Sequence, residues 1–157
     1  MNKIYKLIFI IILFSNYTFG QIEKGKMLIG GSLDFASQEG GSITTFSPTF
    51  GYLFTDNIMG GVSLNTGDGN TQFTPFVRYY KPIKERIFGF GTVSYGFSSP
   101  GLFTIGAGIN YFITDNVSLE PILSFSHFGT SESYGSNTSV SRSYNTISLG
   151  MGIQFFF

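Results

Sequence analysis

The chain has no cysteine and no tryptophan, and only 11% of its 157 residues are charged. An average soluble domain carries about 25%. Without cysteine there is no disulfide framework, no thiolate metal site and no lipid-bearing cysteine. Nine Lys+Arg balanced by nine Asp+Glu provide no basic field for holding nucleic acid. The apolar run Leu7 to Phe14 is far short of the ~20 residues of a membrane-spanning helix. What the chain does hold is 21 Gly, 19 Phe and 9 Tyr, with a mean hydropathy of only +0.19. Disordered chains are polar, charged and poor in aromatics, so disorder is excluded. The length fits one domain. The chain is rich in apolar residues without a long apolar run.

The first twenty residues read as an export signal. Lys3 and Lys6 supply a basic start, Leu7 to Phe14 an apolar core, and Thr18 and Gly20 a small-residue end. That order is the one signal peptidases act on. Cleavage after Gly20 is expected, leaving residues 21–157 as one domain with seven basic and nine acidic side chains.

After Gly20 the sequence alternates with period two, which is strand geometry. Ile147, Leu149, Met151, Ile153, Phe155 and Phe157 share one face; Thr146, Ser148, Gly150, Gly152 and Gln154 share the other. Residues 27–35, 44–54, 103–113 and 117–126 repeat the pattern, and 58–66, 71–81 and 86–97 are rich in strand formers. Thr55-Asp56-Asn57, Lys81–Arg86 and Thr114-Asp115-Asn116 read as short turns. Asp and Asn favour turns by bonding nearby backbone and tolerating left-handed geometry. Ser37–Ser42, Asn65–Asn70, Ser98–Gly101 and Gly129–Ser143 read as loops. The result is eight strands, with four loops at one end and three turns plus both termini at the other.

A soluble sandwich also alternates, but three features favour a closed transmembrane barrel. The segments run about 9–13 residues, which matches the roughly 9–11 of membrane strands rather than the 5–6 typical of globular sheets. The non-apolar face is Gly, Ser, Thr and Asn with almost no Lys or Glu, as a narrow lumen requires. Aromatics gather near both strand ends, as in outer-membrane barrels. Since no segment reads as a helix, closure is what satisfies the backbone in lipid. The predicted fold is all-β: an eight-stranded antiparallel up-and-down transmembrane β-barrel. At that size side chains fill the interior, so a wide pore is not expected.

The aromatic-x-x-Thr-Asp-Asn segments at 52–57 and 111–116, the strand Phe76-Val77-Arg78-Tyr79-Tyr80 and the closing Ile153-Gln154-Phe155-Phe156-Phe157 resemble the small outer-membrane β-barrel family of Gram-negative bacteria. These are the barrels of the outer membrane protein A transmembrane-domain type, often labelled porin family. The resemblance spans residues 21–157. It implies an outer-membrane location with both mature termini in the periplasm. It implies outer-membrane lipid as surroundings, and periplasmic chaperones and the barrel assembly machinery as partners. Phe157, with Phe155, Ile153 and Met151 at alternate positions, is similar to the signal that machinery reads. No periplasmic domain is expected after Phe157.

Most charges fall in turns and loops. Arg78 and Glu120 share the inward face at similar height, four residues from Pro82 and from Asn116. A lone buried charge costs several kcal/mol, so a paired interior network is expected. Lys26 and Asp34 are its further candidates, and its expected role is structural rather than gating. His127 is the sole histidine. Some eight-stranded barrels modify lipid A with a Ser–His pair, and a Ser–His–carboxylate set performs acyl transfer. The deacylase pattern needs Ser two after His, where this chain has Gly129. No catalytic, metal or cofactor site is therefore expected. The 129–143 segment reads as a hydrated loop, its Asn137-Thr138-Ser139 as a chance acceptor pattern, and any ligand of the loops is not specified. Gly106/Gly108 and Gly150/Gly152 are expected to make room for larger neighbours. The predicted function is a structural or surface-interaction barrel; a narrow pore and a lipid-modifying enzyme are the alternatives.

Overall fold

The computed structural model describes residues 22–38, 41–67, 70–97, 101–134 and 138–157. The expected signal peptide lies outside them, as does Asn137. Eight antiparallel strands follow in chain order: β1 Met27–Gln38, β2 Gly41–Leu53, β3 Ile58–Gly67, β4 Asn70–Lys84, β5 Ile87–Gly96, β6 Gly101–Phe112, β7 Val117–Tyr134 and β8 Thr138–Phe156. Each pairs with its neighbours in sequence, and β8 returns to pair with β1, so the sheet is a closed barrel. The predicted fold class and strand count hold. Closure removes every sheet edge within the ring.

The alternation maps onto inside and outside. On β8 and just past its end the odd-numbered residues from Ile147 to Phe157 are exposed, while Gly150, Gly152, Gln154 and Phe156 are buried. Phe35, Phe46, Phe73, Tyr95, Phe97, Phe103 and Phe125 face outward near the loop end. Phe54, Tyr79, Tyr111, Phe155 and Phe157 do so near the turn end. The two expected aromatic girdles are present, with an apolar belt between them.

The turns hold by a different side chain from the one expected. Thr55 Oγ1 accepts from the backbone N–H of Asn57 (3.3 Å) and Ile58 (3.0 Å). Thr114 Oγ1 accepts from Asn116 and Val117 at the same two distances, 3.3 and 3.0 Å. The threonine hydroxyl closes each turn. The aspartates instead reach sideways: Asp56 Oδ1 accepts from Lys24 N (2.9 Å), and Asp115 meets Arg86 (3.4 Å).

Two expected loops are shorter than the sequence implied, and a third is shifted by one residue. Pairing continues to Gln38↔Gly41 and Gly67↔Asn70, and the third lies between Gly96 and Gly101. The largest correction is 129–143. Residues 129–134 and 138–143 continue the β7–β8 ladder, paired out to Tyr134↔Thr138, so β7 has 18 residues and β8 has 19. Ser, Thr and Gly signal loops by their side chains, but a ladder is made by backbone groups, which these residues supply as well as any. The Lys81–Arg86 turn also shrinks, since β4 runs to Lys84 with a bulge between Pro82 and Lys84.

Candidate functional site

The lumen is a cup. At the turn end it is stopped by an apolar plug: Leu28, Leu53, Met59, Tyr80, Phe90, Phe112 and Phe156, with Ile22 folded under it. Phe112 and Phe156 rings lie 5.1 Å apart, and Tyr80 stands 5.9 Å from Phe90. The N-terminal segment is strapped across this floor by Gly25 N–H to Leu53 O (2.8 Å) and by Met27 and Phe157, which exchange backbone bonds.

The plug is where the sequence reading fell short, because it assigned Gly, Ser and Thr to the whole lumen. The missed signal is a run of three apolar residues at strand ends. Met27-Leu28-Ile29, Tyr52-Leu53-Phe54, Tyr111-Phe112-Ile113 and Phe155-Phe156-Phe157 all break the alternation at the turn end. A strand that is apolar on both faces is buried on one and meets lipid or girdle on the other.

Above the plug sits the ion pair. Arg78 on β4 and Glu120 on β7 are 7% and 2% exposed. Arg78 Nη1 donates to both Glu120 oxygens at 2.7 Å. Asn110 Nδ2 donates to Glu120 Oε2 at 2.9 Å, and Gln154 Nε2 lies 3.4 Å from Oε1. Arg78 also donates to the Tyr80 hydroxyl at 3.2 Å. Its guanidinium lies 4.3 Å from the Phe90 ring centroid, with Phe76 and Tyr80 at 5.5 and 5.8 Å. Neighbouring rings attract a desolvated cation by their negative faces. Donors from three strands, β4, β6 and β8, thus converge on one carboxylate of β7. Both side chains are buried on the inward face.

The other two candidates do not share that arrangement. Asp34 stands higher in the cup and accepts from Ser32 Oγ (2.9 Å) and Ser47 Oγ (3.4 Å). Gly150 on β8 makes its room, because a Cβ there would fall on the Asp34 carboxylate. Likewise a Cβ on Gly108 would sit 2.6 Å from the Phe90 ring. Lys26 is buried at the turn end, just before β1. Burial lowers its ammonium pKa, opposed by the negative charges of Glu23 and Asp115. The outward set Met151, Ile153, Phe155 and Phe157 lies on the exterior of the closing strand.

Above the ion pair, past Asp34 and on toward the loop end, the cup encloses about 380 Å³. Its walls are mainly hydroxyl and amide side chains, with Asp34, Arg78 and Glu120 as the charged groups in the lining. His127 is not part of it. It faces outward, and its Nδ1 is 2.7 Å from Asn145 Oδ1, whereas Ser124 and Ser126 face inward. Geometry therefore provides no Ser–His pair at this histidine among the described side chains.

No family model matches the sequence, and no curated protein matches it. Solved structures do match. One comes from the de novo design of transmembrane β-barrels, at TM-score 0.66 and 9% identity over 86% of this chain and 98% of the other. The N-terminal β-barrel domain of Pseudomonas aeruginosa OprF aligns at 0.59 and 16%, over 85% and 98%. Neisserial surface protein A aligns at 0.54 and 14%, over 83% and 95%. At these identities the likeness is one of fold. By fold this chain is a small eight-stranded barrel of the outer-membrane type, and its apolar belt is the surface such a fold turns to lipid.

Proposed function

We propose that this protein is an integral outer-membrane barrel with a structural or surface-presenting role, and that it neither conducts solutes nor catalyses a reaction. One observation carries the reading: the lumen is stopped by the Arg78–Glu120 pair resting on an aromatic plug. A solute path would have to cross both. Breaking a buried pair costs about 3–5 kcal/mol, before any ring is displaced.

In this reading the three turns and both mature termini lie in the periplasm, and the four hairpin ends face the exterior. Signal peptidase releases the chain after Gly20. Periplasmic chaperones then carry it to the barrel assembly machinery, which reads the terminal strand with Phe157, Phe155, Ile153 and Met151 on its outer face. The β7–β8 hairpin, the longest of the four, is the element best placed to meet a partner beyond the membrane.

Recording current across a planar lipid bilayer containing the refolded protein tests the closed lumen. The expected trace shows no discrete steps. Stepwise conductance from inserted, heat-modifiable protein would overturn this reading in favour of a narrow pore.

A further inference from the structure

Prolines interrupt the barrel wall at chosen places. Phe97 N–H donates to Phe73 O (3.0 Å) and Tyr80 N–H to Asn57 O (2.7 Å). Odd-numbered backbone groups of β4 therefore face β5, and even-numbered ones face β3. In an antiparallel ladder every second pair exchanges hydrogen bonds, so the next such pair from Phe73/Phe97 would be Pro75/Tyr95. Pro75 has no N–H to give. Pairing of β4 with β5 is continuous only from Phe76↔Ser94 toward the turn end, and toward the loop end a single bridge, Phe73↔Phe97, remains among the described residues.

The opposite flank of the β3–β4 hairpin is interrupted in the same way. Leu53 N–H donates to Lys26 O and Phe54 N–H to Ile58 O, so even-numbered groups of β2 face β3, and Pro48 is one of them. The β2–β3 ladder is continuous from Leu53↔Met59 to Thr49↔Ser63, then jumps to Phe46↔Thr66, the one further pair among the described residues. Between these two seams the hairpin's own ladder is unbroken, from Ile58↔Tyr79 to Gly67↔Asn70. A third proline, Pro121, also breaks a ladder, but there a continuous run of pairs resumes on the loop side, from Gly108↔Ile122 to Gly101↔Gly129.

The Pro75 seam carries a second feature. An exterior groove of about 220 Å³ lies along it, lined by Pro75, Val77, Val93, Tyr95 and Phe103. Phe76 and Ser94 line both this groove and the cup. An apolar groove on the lipid side and a hydroxyl-lined cup on the other thus meet where the wall has lost a hydrogen bond. Arg78 and Glu120 are paired, so Asp34 is the acidic side chain of the cup lining with no basic partner at salt-bridge distance among the described residues.

We propose that the loop-side half of the β3–β4 hairpin is a hinged panel, and that the Pro75 seam is a lateral portal for a single-chain amphiphile. The tail lies in the groove and the head in the cup. The head is uncharged or cationic, since an anionic one would meet Asp34. The floor blocks passage toward the turn end, so exchange runs between the cup and the bilayer. This goes beyond a structural role and rests on the membrane embedding proposed above.

The test uses the full mature barrel in lipid nanodiscs and a dodecylamine carrying a photoreactive group at its chain end. Wild type should label peptides containing Pro75–Val77 and Val93–Phe103. With no native cysteine, Phe73→Cys/Phe97→Cys can be joined by one disulfide, because hydrogen-bonded pairs stand about 5.5 Å apart at Cα, within bridging range. Oxidation should cut labelling at least tenfold and reduction restore it, and a photoreactive dodecanoate should label far less than the amine. Labelling spread evenly around the belt, or indifferent to the disulfide, would overturn the portal. Hydrogen exchange on wild type is the second readout: amides of 64–67 and 70–73 should exchange at least tenfold faster than those of β6, and equal protection would overturn the hinge. A heat-dependent gel shift of the same samples separates the two failures. With the shift present, missing labelling counts against the portal alone; without it, the embedding and the portal fall together.

Discussion

Removing the Glu120 carboxylate would leave Arg78 buried among Phe76, Tyr80 and Phe90 with no counter-charge at hydrogen-bond distance. An uncompensated buried charge costs about 3–5 kcal/mol. Glu120→Ala should therefore lose that much in urea unfolding from lipid vesicles. Replacing both partners by apolar groups removes the desolvation cost with the attraction. The double variant Arg78→Met/Glu120→Leu should thus unfold within about 1 kcal/mol of wild type or above it. If the double variant proved as unstable as the single one, the pair would be contributing more than mutual neutralisation. Alternation alone brought Arg78 and Glu120 to one height and one face. It could not exclude Asp34 and Lys26 from the pair, because height along a strand says nothing of which wall a neighbour stands on. Asp34 on β1 is served by its own two serines.

At the scale of elements, the strands were legible and their ends were not. Turn chemistry shows why. The repeated Thr-Asp-Asn marked two turns correctly, yet the hydroxyl of Thr accepts two backbone N–H groups in each. Thr114→Ala should cost about 1 kcal/mol, the net worth of such bonds. Asp115→Ala, whose contact with Arg86 is 3.4 Å and largely exposed, should be near neutral. Thermal melting of the two variants in one detergent checks the order, and a larger loss for Asp115→Ala would reverse the assignment. The segment 129–143 was misread because Ser- and Thr-rich composition is a statement about side chains. The backbone of 129–134 and 138–143 simply extends β7 and β8. The plug was missed for the related reason that period-two reading discards residues that break the period, and Phe112 and Phe156 are such residues.

For the whole molecule, charge is distributed along the axis. Lys24, Lys26, Lys81, Lys84 and Arg86 belong to the turn end, Arg78 is sealed in the lumen, and Arg142 is the one basic residue of the loop end. Trypsin added to intact cells should therefore cut after Arg142 and spare the Lys81–Arg86 hairpin. Cleavage at Lys81–Arg86 in intact cells would mean that the barrel sits the other way up. The modest mean hydropathy of +0.19 also belongs to this scale. Outward Phe, Ile and Leu offset inward Gly, Ser and Thr along most of each strand, so the average conceals an apolar belt. Only near the turn end, where the plug lies, are both faces apolar.

Everything above depends on these eight strands closing on one another as a lipid-embedded barrel. The most direct measurement compares migration of the refolded protein on a denaturing gel with and without boiling. A closed barrel resists the detergent, so the unboiled band should run apart from the boiled one and merge with it only after heating. Identical migration at all temperatures, from protein that stays soluble in buffer without detergent or lipid, would mean that the strands do not close into a lipid-embedded barrel.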